Sequence, residues 1–184
     1  MRGAVSSRFP VRLGGRAAST GFSLAETLVV LSVLLVIFLS FMPAMSDRLD
    51  QHRVANVAND LLAAVRQARS EALSRRARVA VAPQAGRDWG SGWRVFVDSD
   101  NDGSFDPGEL VLGEFPAPPA GVSISPNFGA TFAGQYLSFD ESGYPQRAGS
   151  EGLLLGRLNV RGASHERVLC VSAATVRLHA GTGC

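Results

Sequence analysis

Apolar and polar positions fall into three textures along the chain. From Gly21 to Met45 the sequence reads GFSLAETLVVLSVLLVIFLSFMPAM, nearly all apolar, with Glu26 as its single charge. About 20 apolar residues in helix span the ~30 Å hydrocarbon core of a bilayer, so residues 22–45 are predicted to form a membrane helix. From Ser46 to about Arg78 the chain turns polar but keeps a helical period. Val54, Val57, Leu61, Val65, Ala68 and Ala72 recur at steps of three and four, which lays one apolar stripe along a helix. Asp47, Arg48, Asp50, Arg53, Asp60, Arg66, Arg69, Glu71 and Arg75 fall mostly on its other faces. With no Gly or Pro in this second stretch, one long helix is expected from near Phe22 to near Arg76. Pro43 removes a backbone hydrogen bond and crowds the preceding turn, so a kink or local melting is expected there rather than a stop.

From Val79 the texture becomes β-branched and aromatic runs cut by Gly, Pro, Asn and Asp. Strands are predicted at Arg78–Ala82 (ended by Pro83), Trp93–Val97, Glu109–Phe115, Val122–Ile124, Tyr136–Phe139, Leu153–Val160, Arg167–Ser172 and Val176–His179. Pro116 to Gly134 has the weakest pattern and reads as a mobile loop. One helix followed by short strands predicts an α+β fold: a long N-terminal helix, membrane-spanning in its first half and amphipathic in its second, packed on a small antiparallel β-sheet domain or two packed sheets.

Charge changes the picture at the N-terminus. All 18 basic residues are Arg, read as composition bias, and the formal charge is +2. Arg2, Arg8, Arg12 and Arg16 precede Gly21 in a leader without acidic residues; without it, 14 basic groups face 16 acidic ones, a charge of −2. A net-acidic chain is a poor general nucleic-acid binder. Arginines beside the apolar segment predict that this end stays in the cytoplasm and that the β-domain lies across the membrane, in the periplasm of a Gram-negative cell. Cys170 and Cys184 match no zinc spacing; in an oxidising compartment they either close a structural loop or remain two free thiols.

A charge at the start of an apolar run is costly and implies a partner. If cleavage after Gly21 frees an α-amino group on Phe22, Glu26 is well placed to pair with it, within the chain or on a neighbouring subunit. A signal peptidase site would need small residues after the apolar run, whereas Gly21 precedes it. Gly21-Phe22-Ser23-Leu24-Ala25-Glu26, with its basic leader, apolar run and Pro43, resembles the processing site of type IV prepilins and type II secretion pseudopilins. The resemblance implies that a prepilin peptidase cuts after Gly21 and methylates Phe22, and that Glu26 guides docking into a filament. It divides the chain into a leader (1–21), a membrane and filament-core helix (22–45), an amphipathic continuation (46–78) and a periplasmic β-domain (79–184). Gly92-Trp93-Arg94-Val95-Phe96-Val97-Asp98 and the Asp-rich turn up to Glu109 resemble the globular domain of GspH/FimT minor pseudopilins; Leu137-Ser138-Phe139-Asp140 with Gly143 is a further match. The implied role is a minor pseudopilin at the tip of the type II secretion pseudopilus. The alternatives are a FimT- or FimU-like minor pilin priming pilus assembly, or a DNA-binding subunit for uptake. Implied partners are other minor and major pseudopilins or pilins, the prepilin peptidase/methyltransferase and inner-membrane lipid. Some FimT-like pilins are implicated in DNA binding through a Gly-Arg-x-Arg motif; Ala174-Thr175-Val176-Arg177 stands in its place here, and only Arg177 matches.

Asp98, Asp100, Asp102, Gly103, Ser104, Asp106 and Glu109 satisfy the calcium-loop spacing D-x-[DN]-x-[DN]-G-x5-E. Calcium takes six to eight hard oxygens, a sharp turn at the Gly, and a bidentate final Glu. The flanks read as strands rather than helices, and the same residues also suit a solvated hairpin turn with no ion. His52, His165 and His179 stand at no catalytic spacing, and Ser164-His165-Glu166 is a sequence neighbourhood whose alternate residues face opposite ways on a strand. The chain is therefore read as a structural subunit and not an enzyme.

Overall fold

The computed structural model describes Gly21 and residues 23–128, 136–150 and 152–184, apart from the side chains of 40–44. The leader arginines, Phe22, the Pro43 side chain and residues 129–135, which include part of the stretch read as a mobile loop, lie outside the described residues. A helix, α1, occupies Leu24–Arg75. Glu26 sits in its first turn, where the positive end of the helix dipole favours a carboxylate. Helical backbone continues through Pro43, so the melting expected there is not present. At the other end Arg76 takes a left-handed conformation (φ 50°), and the Ala77 N–H bonds back to the Ala72 carbonyl at 3.3 Å. This six-to-one closure ends the helix without the glycine that usually supplies it.

The chain forms two compact units, Met1–Met42 and Pro43–Cys184. In the first, Leu24, Leu28, Val29, Val30, Leu31 and most residues on to Leu39 are exposed apolar side chains, interspersed with the polar Glu26, Thr27 and Ser32. Among the described residues no helix is long and apolar enough to cross a membrane; the predicted span, 22–45, includes positions that fall outside them.

The second unit packs residues of α1 against eight strands: β1 (Val79–Ala85), β2 (Asp88–Val97), β3 (Val111–Phe115), β4 (Ser123–Asn127), β5 (Leu137–Phe139), β6 (Gly156–Arg161), β7 (Glu166–Val171) and β8 (Val176–Ala180). They form two four-stranded antiparallel sheets, ordered β3-β2-β1-β5 and β4-β6-β7-β8. The predicted helical stripe is the core: Val54, Leu61, Val65, Ala68 and Ala72 are fully buried, together with Val79, Val81 and Val95 of the first sheet and Leu158, Val160 and Leu169 of the second. Ala58, Ala64, Ala68 and Ala72 are small enough to let both sheets approach the helix. A smaller cluster on the opposite face of the first sheet joins Ala80, Ala82 and Phe96 to Phe105 and Tyr136.

Several boundaries differ from the sequence reading, with β2 beginning at Asp88 rather than Trp93 and β3 at Val111 rather than Glu109. β1 does not end at Pro83 but continues to Ala85 through an irregularity. β5 pairs only with Val79–Val81, so at Pro83 the strand has a neighbour on one side only and tolerates a missing N–H. The strand expected at Leu153 begins at Gly156 instead, because Leu154 turns into the core and its N–H bonds the Pro145 carbonyl at 2.9 Å. The strand expected at Val122–Ile124 is present as β4 and extends to Asn127, held in register by five pairs with β6.

Candidate functional site

The N-terminal junction is built from little more than a helix start. Gly21 is open, with nothing within 4 Å of where a Cβ would stand. Glu26 and the apolar residues after it are exposed. Since Leu28, Val29, Val30 and Leu31 are consecutive, the exposed apolar surface runs all round the helix rather than along one stripe. A helix apolar on every side is normally covered by lipid or by other helices.

The Asp-rich loop lies between β2 and β3. Asp98 is only 2% exposed. Its Oδ1 accepts the Asp102 N–H and its Oδ2 the Gly103 N–H, each at 3.2 Å. One oxygen each from Asp98, Asp100 and Asp102 lie within 4.8 Å of one another. Gly103 takes φ +78°, and a Cβ there would stand 2.7 Å from the Tyr136 ring, so the sixth position needs glycine for both conformation and space. Phe105 stacks edge-on against Phe96 at 5.4 Å, with the Arg94 guanidinium 4.3 Å above its ring centroid, which pins the loop to the sheet. Burial raises the Asp98 carboxyl to about 6, opposed by its amide bonds and reinforced by the charge of Glu109. Asp106 is raised as well, by desolvation and then by the charges of Asp102, Asp100 and Glu109.

Three gathered carboxylates, one of them buried, suit a hard divalent cation. The fit is partial. Glu109, the twelfth position, accepts the Ser99 N–H at 2.7 Å and the Asp106 N–H at 3.1 Å. It braces the loop backbone instead of joining the other three carboxylates, and Asp106 is not in that group either.

At the C-terminus Cys170 of β7 is bonded to Cys184 (Cα–Cα 5.7 Å). Arg177 is exposed on β8 opposite Cys170, whose other neighbour is Arg157 on β6. Arg157 donates to the Thr182 carbonyl at 3.2 Å, and Arg161 pairs with Glu166 at 2.9 Å.

A third cluster had no signal in the sequence pattern. Asp50 accepts the N–H groups of Ala163, Ser164 and His165 at 3.0, 3.0 and 3.1 Å, and Asp47 accepts the Ser164 hydroxyl at 2.6 Å. These bonds clamp the β6–β7 turn to the helix. Amide bonds from Ser164 and Ala163, partly opposed by desolvation, lower the Asp50 carboxyl to about 2. Ser164 Oγ, Asp47 and Asp50 all approach the same His165 nitrogen, Nδ1, at 3.1, 3.6 and 3.5 Å. With every partner on one nitrogen, the ring cannot relay a proton from serine to carboxylate.

A family model described as "Type II transport protein GspH" matches residues 57–175. The chain belongs to the GspH family. Crystal structures of the type IV minor pilin FimU of Pseudomonas aeruginosa are similar to this GspH-family chain in fold. One, in space group P21, has a TM-score of 0.53 at 20% identity and covers 73% of this chain and 97% of that one. The other, in space group P65, has a TM-score of 0.50 at 20% identity and covers 71% and 98%. No curated protein matches the chain in sequence. The GspH-family assignment and the FimU-like fold together support a pilin-like subunit.

Proposed function

We propose that the chain is a minor pseudopilin of a type II secretion pseudopilus. It is made as a precursor, cut after Gly21, methylated on Phe22, and held in the inner membrane with its β-domain in the periplasm until it enters the filament tip. The observation that carries this reading is the helix directly behind Glu26, apolar and exposed on all sides. Lipid covers such a helix before assembly, and sister helices cover it afterwards. Glu26 then neutralises an α-amino group among packed helices, which removes two uncompensated charges from an apolar bundle at once. The fold likeness to a type IV minor pilin supports a second reading, the same subunit chemistry within a pilus.

Mass spectrometry of the mature protein tests the processing, with a methylated Phe22 expected at its start. Glu26→Ala tests assembly: filament incorporation is lost while cleavage continues. Full incorporation of that variant would falsify the role given to Glu26. We also propose that the Asp98–Glu109 loop takes a calcium ion through Asp98, Asp100 and Asp102, a reading supported by their convergence around a buried carboxylate.

A further inference from the structure

The two sheets treat their edges differently. At the edge of the first sheet, β3 carries a bulge at Leu112, and the Leu112 carbonyl accepts the Gln67 side chain at 3.0 Å. β5 is three residues long and is continued by a bridge between Phe139 and Pro145. In the second sheet, β4 includes Pro126, which has no N–H to offer. Bulges, short strands and prolines are the usual guards of a sheet edge. β8 has none of them: it runs five residues, Val176–Ala180, in unbroken register with β7.

Its hydrogen-bond phase follows from its two ends. The Ser172 N–H bonds the Thr175 carbonyl at 3.0 Å and the Gly181 N–H bonds the Glu166 carbonyl at 3.0 Å. Alternation along an antiparallel ladder then turns the backbone groups of Arg177 and His179 toward β7 and those of Val176, Leu178 and Ala180 outward. Among the described residues no strand pairs with that outer edge.

The side chains beside the edge narrow its partner. The outer face of the second sheet carries the row Arg157, Cys170, Arg177 and the row Asn159, Val168, His179. A second copy pairing β8 with β8 about Arg177 would set Arg177 opposite Arg177. Cross-strand like charges disfavour such pairing. We propose that β8 accepts an extended, acid-bearing segment of a different subunit of the filament as a fifth strand of this sheet. Main-chain bonds would hold it at Val176, Leu178 and Ala180, and its carboxylates would lie beside Arg177. This rests on the reading of the chain as an assembling pilin-like subunit.

The test is Ala180→Pro in the full-length chain expressed in its own cell, with incorporation measured in the sheared-filament fraction. Proline at 180 removes an outward N–H and leaves the ladder to β7 intact. An unchanged Tm with an about ten-fold fall in incorporation is expected, the order of effect of losing one backbone hydrogen bond and admitting a clash. Wild-type incorporation of the variant overturns the proposal. Should the variant melt earlier, amide exchange of the unmutated chain decides: protection of Val176, Leu178 and Ala180 on assembly supports the added strand, and its absence overturns it. Arg177→Glu should weaken incorporation too, and an unchanged level removes the acid-bearing partner. Glu26→Ala run alongside separates the two ideas. Its loss of incorporation with Ala180→Pro unaffected sinks only the edge, and a wild-type chain absent from the filament fraction sinks both.

Discussion

Asp50 of α1 lies against Gly162 so closely that a Cβ at position 162 would overlap its carboxylate. The same Cβ would stand 2.7 Å from Val54 Cγ2, a fully buried core atom group that cannot swing aside. The β6–β7 turn reaches the helix only because residue 162 has no side chain. Gly162→Ala therefore forces the turn away and breaks bonds from Asp50 to Ala163, Ser164 and His165. The expected cost is about 1–3 kcal/mol, typical of inserting one carbon into a packed site. Denaturant unfolding measures it, and an unchanged midpoint would show that the turn yields freely.

Asp50 also sets an acid limit. Its carboxyl is lowered from 3.8 to about 2 by the turn amides, so its bonds stabilise the folded chain above pH 4 and are lost as pH falls from about 4 toward 2. Thermal melting across this window should show a drop in Tm that Asp50→Asn largely removes. Equal pH slopes for the two proteins would deny Asp50 this part.

Asp98 acts in a different window and with the opposite sign. Its carboxyl is raised from 3.8 to about 6 by burial, so without a cation the folded chain loses stability as pH rises from about 4 through 6. Asp98→Asn should then raise the calcium-free Tm at pH 7.5 by about 5 °C. Calcium should raise the wild-type Tm, by about 2.7 kcal/mol of added stability at a hundred-fold excess over Kd, and a chelator should reverse the rise. Neither Asp98→Asn nor Asp100→Asn should respond. A wild-type Tm indifferent to calcium and chelator alike leaves the loop as a polar turn.

The Cys170–Cys184 bond closes a sequence separation of 14. In the chain-entropy account a loop of about 15 residues contributes about 3 kcal/mol. Cys184→Ser should lower the unfolding free energy by that order, and added reductant should do the same to the wild type but nothing further to the variant. The bond also ties Cys184 back to β7 next to the edge strand β8, so its loss should raise amide exchange at Arg177 and His179, whose N–H groups face β7, first.

What the sequence by itself determined is whatever depends on near neighbours. The stripe from Val54 to Ala72 is a three-and-four period, a property of one helix, and each of its members is buried. The GspH resemblance rested on contiguous residues around Trp93 to Asp98, and residues 57–175 match that family. Strands were legible where β-branched residues alternate, as in β2 and β8. They were misjudged where a neighbour decided the outcome. Pro83 stays in β1 because β5 is too short to need its N–H, and Leu153–Leu155 is no strand because Leu154 turns inward.

Only the tertiary structure decided the rest. No local pattern joins Asp50 to a turn 113 residues away, sends Glu109 to the Ser99 and Asp106 amides while three aspartates converge, or leaves β8 as the unguarded edge. Helix periodicity is written along a few turns of chain, whereas a carboxylate's partner and a strand's last neighbour are chosen by the packing of segments that meet only after the chain has folded.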